Sequence, residues 1–351
     1  MKAPVVVKLG SSLVADARGR PRRRALRAVA AELAAVDVPI CVVSSGAIAL
    51  GLGKMGLDRR PRALPKLQAA SALGQAALQR VWEDALGAHG LRAGQVLLTS
   101  TEIADRRAYV NVRNALGALF SLGVVPVVNE NDATATDEIS FGDNDALAAQ
   151  VAVLVRARLL VLLTSVEGVL TELGGELIAD GAGARAAVFG ARSAAGSGGM
   201  ASKLAAAKIA AWSGVRVVIA AANEPDVVRG AIDGRPVGTA VRARSQRLSS
   251  RKLWIAFARG AAGRVTVDAG AQRALMHQGR SLLPAGVRDV EGTFAAEDAV
   301  EIVGDDGRPF AKGLVRYSAT ALRQVAGRRT ADLPDGQPHE VIHRDDLVVL
   351  P

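Results

Sequence analysis

The sequence predicts an α/β protein: an open, mostly parallel sheet sandwiched by helices, followed by a small β-rich domain. Three observations carry this. Short β-branched runs alternate with alanine-rich stretches of helical periodicity through the larger N-terminal part. Runs such as VVPVV and LLVLL are apolar throughout, as strands covered on both faces must be. From about Arg251 the texture changes to short alternating segments separated by Gly and Pro turns.

The expected strands of the first domain are residues 5–8, 40–43, 96–98, 124–128, 159–163 and 215–219. Helices are expected over 25–36, after the cluster Arg18, Arg20, Arg22, Arg23 and Arg24, and over 146–155 and 204–212. Strands at 264–268 and 299–303 begin the β-rich module. The polar stretch rich in Ser and Arg after residue 241 marks a boundary. The expected organisation is therefore a domain over 1–245, a linker over 246–261 and a second domain over 262–351.

With 351 residues, half of them apolar, the chain can bury a sizeable core, which excludes a disulfide-stapled miniprotein and a disordered tail. Its one cysteine, Cys41, excludes an internal disulfide and a cysteine-based zinc site, so a reducing compartment, the cytoplasm, is expected. The most apolar stretch, 151–163, is interrupted by Arg156 and Arg158, short of the ~18 uninterrupted apolar residues of a membrane span. The apolar run before Lys8 is too short for a signal peptide, and no membrane association is expected. The formal charge of +10 divides as +8 over residues 1–245 and +2 over 246–351. The arginine cluster reads first as a solvated helix start, although a basic surface also attracts small anions such as nucleotides.

In an open α/β sheet the carboxyl ends of the strands hold the ligand, so polar residues just after strands are the informative ones. Four places qualify. Lys8-Leu9-Gly10-Ser11 puts a lysine at a strand end, then a glycine that lets backbone N–H groups approach an anion. Ser44-Ser45-Gly46 is a second small-residue turn. Asn129-Glu130-Asn131-Asp132 is followed by Gly142-Asp143-Asn144-Asp145 ahead of a helix. The fourth is Gly196-Ser197-Gly198-Gly199-Met200-Ala201-Ser202-Lys203, again before a helix.

Each has a plain structural alternative. Asp143 can be a helix N-cap, and Asp145 can be a first-turn acid that only favours the helix dipole. Lys203 is harder to explain that way, because a lysine in the first turn opposes the dipole by ~0.3–1 kcal/mol. An anion held by the glycine turn and the lysine resolves the conflict. Two lysines converging on phosphate fit phosphoryl transfer, whose catalysis is mostly positioning and charge neutralisation. On this reading Lys203→Ala lowers kcat far more than stability, since an exposed loop lysine adds little to a fold.

Three motifs fail on inspection. Gly51-Leu52-Gly53-Lys54-Met55-Gly56 matches the dinucleotide pattern but lies well past its strand, so its spacing reads as accidental. Lys203 is followed by Leu204, which breaks a Walker loop. His339 and His343 lack cysteine partners and a third nearby histidine, and no metal site is expected from them.

Taken together, the segments VVVKLGSS, VVSSGAIALG at 42–51, VPVVNENDATAT at 125–136, FGDNDALAA at 141–149, GSGGMASK at 196–203, and SLLPAGV with HRDD near the end resemble the amino-acid kinase family over nearly the whole chain. Within it they are most similar to the enzymes that phosphorylate the side-chain carboxylate of L-glutamate, and the β-rich module resembles a PUA domain. The resemblance implies ATP and Mg²⁺ as cofactors, L-glutamyl 5-phosphate as product, and the first step of proline biosynthesis. It implies that Lys8 and Lys203 neutralise the phosphoryl group, that Asp145 holds them, and that Gly10 and Gly46 offer N–H groups to phosphate. Ser45, Asp132 and Asn144 would bind glutamate. Thr164, Ser165, Ser197, Gly198, Gly199, Met200, Ala201, Ser202 and Lys203 would line the nucleotide site. A homo-oligomer with proline as feedback inhibitor also follows. The sequence departs from the family pattern at Ser165 and Leu170, which leaves nucleotide preference open. Two other readings stand: a kinase of another small carboxylate, aspartate or N-acetylglutamate, and an RNA-binding protein acting through the C-terminal module.

Overall fold

Seven strands form the sheet of the N-terminal unit: β1 (Val5–Leu9), β2 (Ile40–Ser44), β3 (Arg92–Leu98), β4 (Val124–Glu130), β5 (Leu159–Thr164), β6 (Arg216–Ala221) and β7 (Thr239–Val241). The structure is a computed structural model describing residues 2–57, 59–134, 144–171, 176–180, 199–244, 248–258, 260–334 and 336–350. The chain divides into two compact units, residues 1–247 and 248–351.

The strand order is β3-β4-β2-β1-β5-β6-β7. Strands β1 to β6 pair in parallel, and β7 runs antiparallel to β6 at the edge. β1 and β2 are buried at every position and β5 at all but its last, which explains their unbroken apolar runs: helices cover both faces, and no position can be polar without a partner. Lys8 on β1 is the exception, and it has one. Because β1 is central and the chain moves outward to either side of it, the carboxyl ends of β1, β2 and β5 bracket a topological switch point, where open sheets bind ligands.

Helix Arg23–Ala34 carries the first crossover. It buries Leu26, Val29, Ala30 and Leu33, one face at helical spacing, and leaves its arginines outside. Helices Ala47–Lys54 and Leu64–Gly87 follow β2 and lie against each other. Gly51 and Gly74 permit this: a Cβ on Gly51 would penetrate the carbonyl of Ala70, and one on Gly74 the carbonyl of Ala47. A Cβ on Gly53 would lie 2.7 Å from the Gly19 carbonyl oxygen, so this glycine seats the turn Asp16–Arg20 on the helix. Of the three glycines whose dinucleotide-like spacing read as accidental, Gly51 and Gly53 serve close packing and Gly56 meets nothing within 4 Å. Helices Asn144–Leu154 and Met200–Trp212 also pack together.

The C-terminal unit is a five-stranded sheet of β8 (Gly263–Val267), β9 (Val287–Gly292), β10 (Ala299–Val303), β11 (Pro309–Leu314) and β12 (Leu347–Val349), ordered β12-β11-β10-β8-β9. β8 and β10 are parallel, and the remaining pairs are antiparallel. Its core gathers Val265, Val267, Leu275, Ile302, Leu322 and Ile342. The helix Ala269–Gln278 is capped by Asp268, whose carboxylate accepts the Ala271 N–H at 2.7 Å. The stretch 246–261 contains the helical turns Ser250–Leu253 and Trp254–Ala258, with Trp254 and Ile255 buried within this unit. Among the described residues no helix is long and apolar enough to cross a membrane.

Candidate active site

Helix Asn144–Leu154 begins under the carboxyl ends of β1 and β2, and its first two residues organise two adjoining clusters. Asp145 is fully buried. One of its oxygens accepts from the ammonium of Lys8, 3 % exposed on β1, and the other from Lys203 Nζ at 3.0 Å. The Ser202 hydroxyl lies 3.0 Å from that second oxygen and 2.8 Å from the Gly199 carbonyl, and its one proton serves either. Among the described residues two cations share one anion where water is largely excluded.

The local sequence explains the placement. Asp145 sits in the first turn of its helix, where the dipole favours an acid. Lys203 sits in the first turn of Met200–Trp212, which starts four residues before the expected 204, so Met200 to Lys203 are helix and not loop. Its unfavourable dipole position is offset by Asp145. This corrects the exposed loop lysine expected from sequence: Lys203 is 8 % exposed and ion-paired, so it contributes to stability as well.

The second cluster lines a cavity of about 180 Å³ that includes Ser45, Gly46, Asp132 and Asn144. Asp132 accepts a 2.9 Å hydrogen bond from the Ser71 hydroxyl. Burial raises its carboxyl above the ordinary aspartate value, opposed by the Ser71 bond and by the charge of Arg60. In the ligand-free protein this shift runs against stability: ionising Asp132 costs folding free energy as pH rises past the ordinary aspartate value. The Asn144 amide nitrogen donates to Asn129 Oδ1 at 2.7 Å and to the Ser44 carbonyl at 3.3 Å. Its oxygen takes no hydrogen bond from a described residue.

Gly46 has φ +115, and a Cβ there would meet Val14 Cγ1 at 2.8 Å, so the fold itself requires this glycine. Gly10 differs. Its φ is −74 and a Cβ would meet nothing within 4 Å, so no contact within the described protein demands a glycine. Gly199, the N-cap before Met200, is equally open. Leu9 is in register with Leu163, so Gly10 and Thr164 leave the sheet side by side. Thr164 is half-buried, Ser165 exposed, and neither has a described contact with the lysines. Met200 is half-buried and Ala201 exposed. Ser197, Gly198, Gly142 and Asp143 lie outside the described residues.

The family model described as "Amino acid kinase family" matches residues 3–221. The chain belongs to the amino acid kinase family. The PUA domain model matches residues 263–336 of the C-terminal unit. Among relatives, a protein named Glutamate 5-kinase from Myxococcus xanthus (strain DK1622) is 45 % identical, the match covering 99 % of this chain and 96 % of the relative. Proteins of the same name from Burkholderia multivorans (strain ATCC 17616 / 249) and Cupriavidus pinatubonensis (strain JMP 134 / LMG 1197) are each 42 % identical, covering 99 % of this chain and 97 % of each relative.

In this amino acid kinase further residues stand around the cavity, and of these the sequence marked only Arg18, as part of the arginine cluster. Arg18 and Arg60 border the cavity, and Ser71, Gln75 and Trp82 reach its walls from helix Leu64–Gly87. Only their common helical face could have marked the last three. Residues 71, 75 and 82 fall within about 40° of one another around a helix of 3.6 residues per turn.

Proposed function

We propose that the chain transfers the γ-phosphoryl group of ATP to the side-chain carboxylate of L-glutamate, giving L-glutamyl 5-phosphate and ADP, the first step of proline biosynthesis. One observation carries the reading: consecutive residues of a single helix put Asn144 on the wall of a small polar cavity and Asp145 between two buried lysines. An acceptor seat and a phosphate-neutralising pair are thereby fixed side by side. The likeness to enzymes named Glutamate 5-kinase supports the choice of acceptor.

In this reading a carboxylate oxygen of glutamate attacks the γ-phosphorus, the new P–O bond forms, and the bond to the β-phosphate oxygen breaks with its electron pair leaving on ADP. The glutamate carboxylate is already ionised near neutral pH, so no general base is needed. Lys8 and Lys203 neutralise charge on the phosphoryl group, and Asp145 keeps both ammonium groups aimed. Asp132 and the Asn144 oxygen accept from the substrate ammonium, and the Ser45 hydroxyl donates to a substrate carboxylate. Gly10 and Gly199 bring bare backbone against the triphosphate, with Thr164, Ser165 and Met200 to Lys203 along the nucleotide. When bound with the nucleotide, Mg²⁺ would add charge neutralisation on the phosphates. On family resemblance, proline as end-product inhibitor and a homo-oligomer extend the same reading.

Purified protein with ATP, Mg²⁺, glutamate and hydroxylamine is expected to yield glutamyl hydroxamate; aspartate and N-acetylglutamate are expected to give far less. Folded protein that binds ATP yet makes no hydroxamate from glutamate contradicts the proposal.

Two further results are expected. Gly10→Ala keeps the thermal midpoint, since its Cβ enters open space at an ordinary φ, while KM for ATP rises because the added methyl occupies the phosphate approach. A midpoint that falls with KM unchanged would reverse that assignment. Asp132 must be ionised to hold an ammonium, so kcat/KM for glutamate falls on acidification at a pH above the ordinary aspartate range. Ser71→Ala removes a bond that favours the ionised form and moves the acidic limb to still higher pH. Superimposable pH profiles of the two proteins would exclude Asp132 as the titrating group.

A further inference from the structure

The acceptor cavity is backed by a directed chain of side-chain amides. Asn144 Nδ2 donates to Asn129 Oδ1 at 2.7 Å, and Asn129 Nδ2 donates to Gln75 Oε1 at 2.8 Å. An amide can turn over and exchange its donor and acceptor ends, so the direction of such a chain needs an anchor. The Ser44 carbonyl supplies one. It lies 3.3 Å from the Asn144 amide nitrogen, belongs to the last residue of β2 and can only accept. Ser44 is itself fixed, its hydroxyl accepting from Trp82 Nε1 at 2.9 Å. With that end set, Asn144 must present its nitrogen to Ser44 and Asn129, and Asn129 must present its nitrogen to residue 75. The far end requires an acceptor, and Gln75 provides it.

The consequence reaches the cavity. Both N–H groups of Asn144 are directed to Asn129 and Ser44, so its oxygen is what remains for a ligand, beside the carboxylate of Asp132. We propose that Gln75, on helix Leu64–Gly87, is a positioning residue: with the direction set by the Ser44 carbonyl, it supplies the acceptor that the Asn129 amide then needs, and so helps hold Asn129 and Asn144 in the orientation that offers an oxygen to the substrate's amino group. This rests on the function proposed above and assigns the selection of a free primary ammonium to a residue outside the cavity wall. Without an acceptor at 75, Asn129 loses the partner of its own amide nitrogen, and the turned-over arrangement, with Asn144 directing a donor at the cavity, becomes competitive.

The test uses the full-length protein and the hydroxamate assay with two acceptors, glutamate and glutarate, the second lacking the amino group. Gln75→Met keeps length and helix propensity but removes the oxygen acceptor. It is expected to raise KM for glutamate about tenfold, the equivalent of one hydrogen bond, with kcat and KM for ATP retained. The preference for glutamate over glutarate shrinks by the same factor. Gln75→Glu, whose carboxylate still accepts from Asn129, restores glutamate KM and the preference. Gln75→Ala gives the same reading as Gln75→Met should the latter not fold. An unchanged glutamate-to-glutarate ratio in the folded acceptor-less variant, or a Gln75→Glu protein as impaired as Gln75→Met, overturns the positioning role. Failure of the wild-type protein to phosphorylate glutamate at all sinks the underlying function instead, so the two failures are separable.

Discussion

Lys203→Ala is expected to lower kcat about 10³-fold at saturating substrates, the scale found when one preorganised charge is removed from a phosphoryl-transfer site. The residue shares Asp145 with Lys8, each lysine being held to its own carboxylate oxygen, so the two ammonium groups occupy different positions. The same substitution is expected to destabilise the protein by roughly 3 kcal/mol, the low end for removing one partner of a buried ion pair, since Lys8 and Ser202 still hold Asp145. Steady-state turnover and the urea midpoint of the purified variant measure the two effects separately. Turnover close to that of the wild type would remove Lys203 from the chemistry. An unchanged midpoint would mean that its burial carries no net stability.

Gly51→Ala is the largest purely structural effect expected. The added methyl would penetrate the carbonyl of Ala70, backbone that cannot rotate aside, so helices Ala47–Lys54 and Leu64–Gly87 must separate. Overpacking of this kind costs about 3 kcal/mol, which for a unit of this size lowers Tm by roughly 6–12 °C. Thermal unfolding followed by circular dichroism measures it, and a shift below about 2 °C would show that the helices yield at little cost. Separation would also carry Ser71 and Gln75 away from Asp132 and Asn129, so loss of glutamate affinity is expected in whatever fraction stays folded.

The parallel sheet was readable because burial on both faces leaves a plain trace: apolar runs recover β1, β2, β4, β5 and β6, whereas edge strand β3, buried only at Leu98, was found only over its last three residues. The seventh strand was missed. Thr239–Val241 is three residues long at a sheet edge, and its Thr239 faces inward to accept the Val169 N–H at 2.8 Å, a contact that no local pattern encodes. Lys8 and Lys203 were legible because a cation at a buried strand end or a helix start conflicts with its surroundings unless something answers it, whereas the role of Asp145, favoured by its helix dipole, was marked only by the family resemblance. Ser71, Gln75 and Trp82 raise no such conflict and look like ordinary helix residues. The glycine pattern at 51–56 was set aside on sound grounds as a nucleotide motif, yet its role in close helix packing depends on a second glycine, Gly74, that only the fold brings opposite.

Strand β1 divides the sheet into two halves, with β2, β4 and β3 on one flank and β5, β6 and β7 on the other. Cavity residues follow β1, β2 and β4, as Arg18, Ser45 and Asp132 do, while Thr164 and Ser165 belong to the second flank. On the proposed function the donor and the recipient of the phosphoryl group dock on separate pieces of architecture, and among the described residues Lys8, Asp145 and Lys203 join them. A lineage built on this plan could trade one recipient for another by editing a single flank, with the energy-supplying half and the shared seam inherited unaltered.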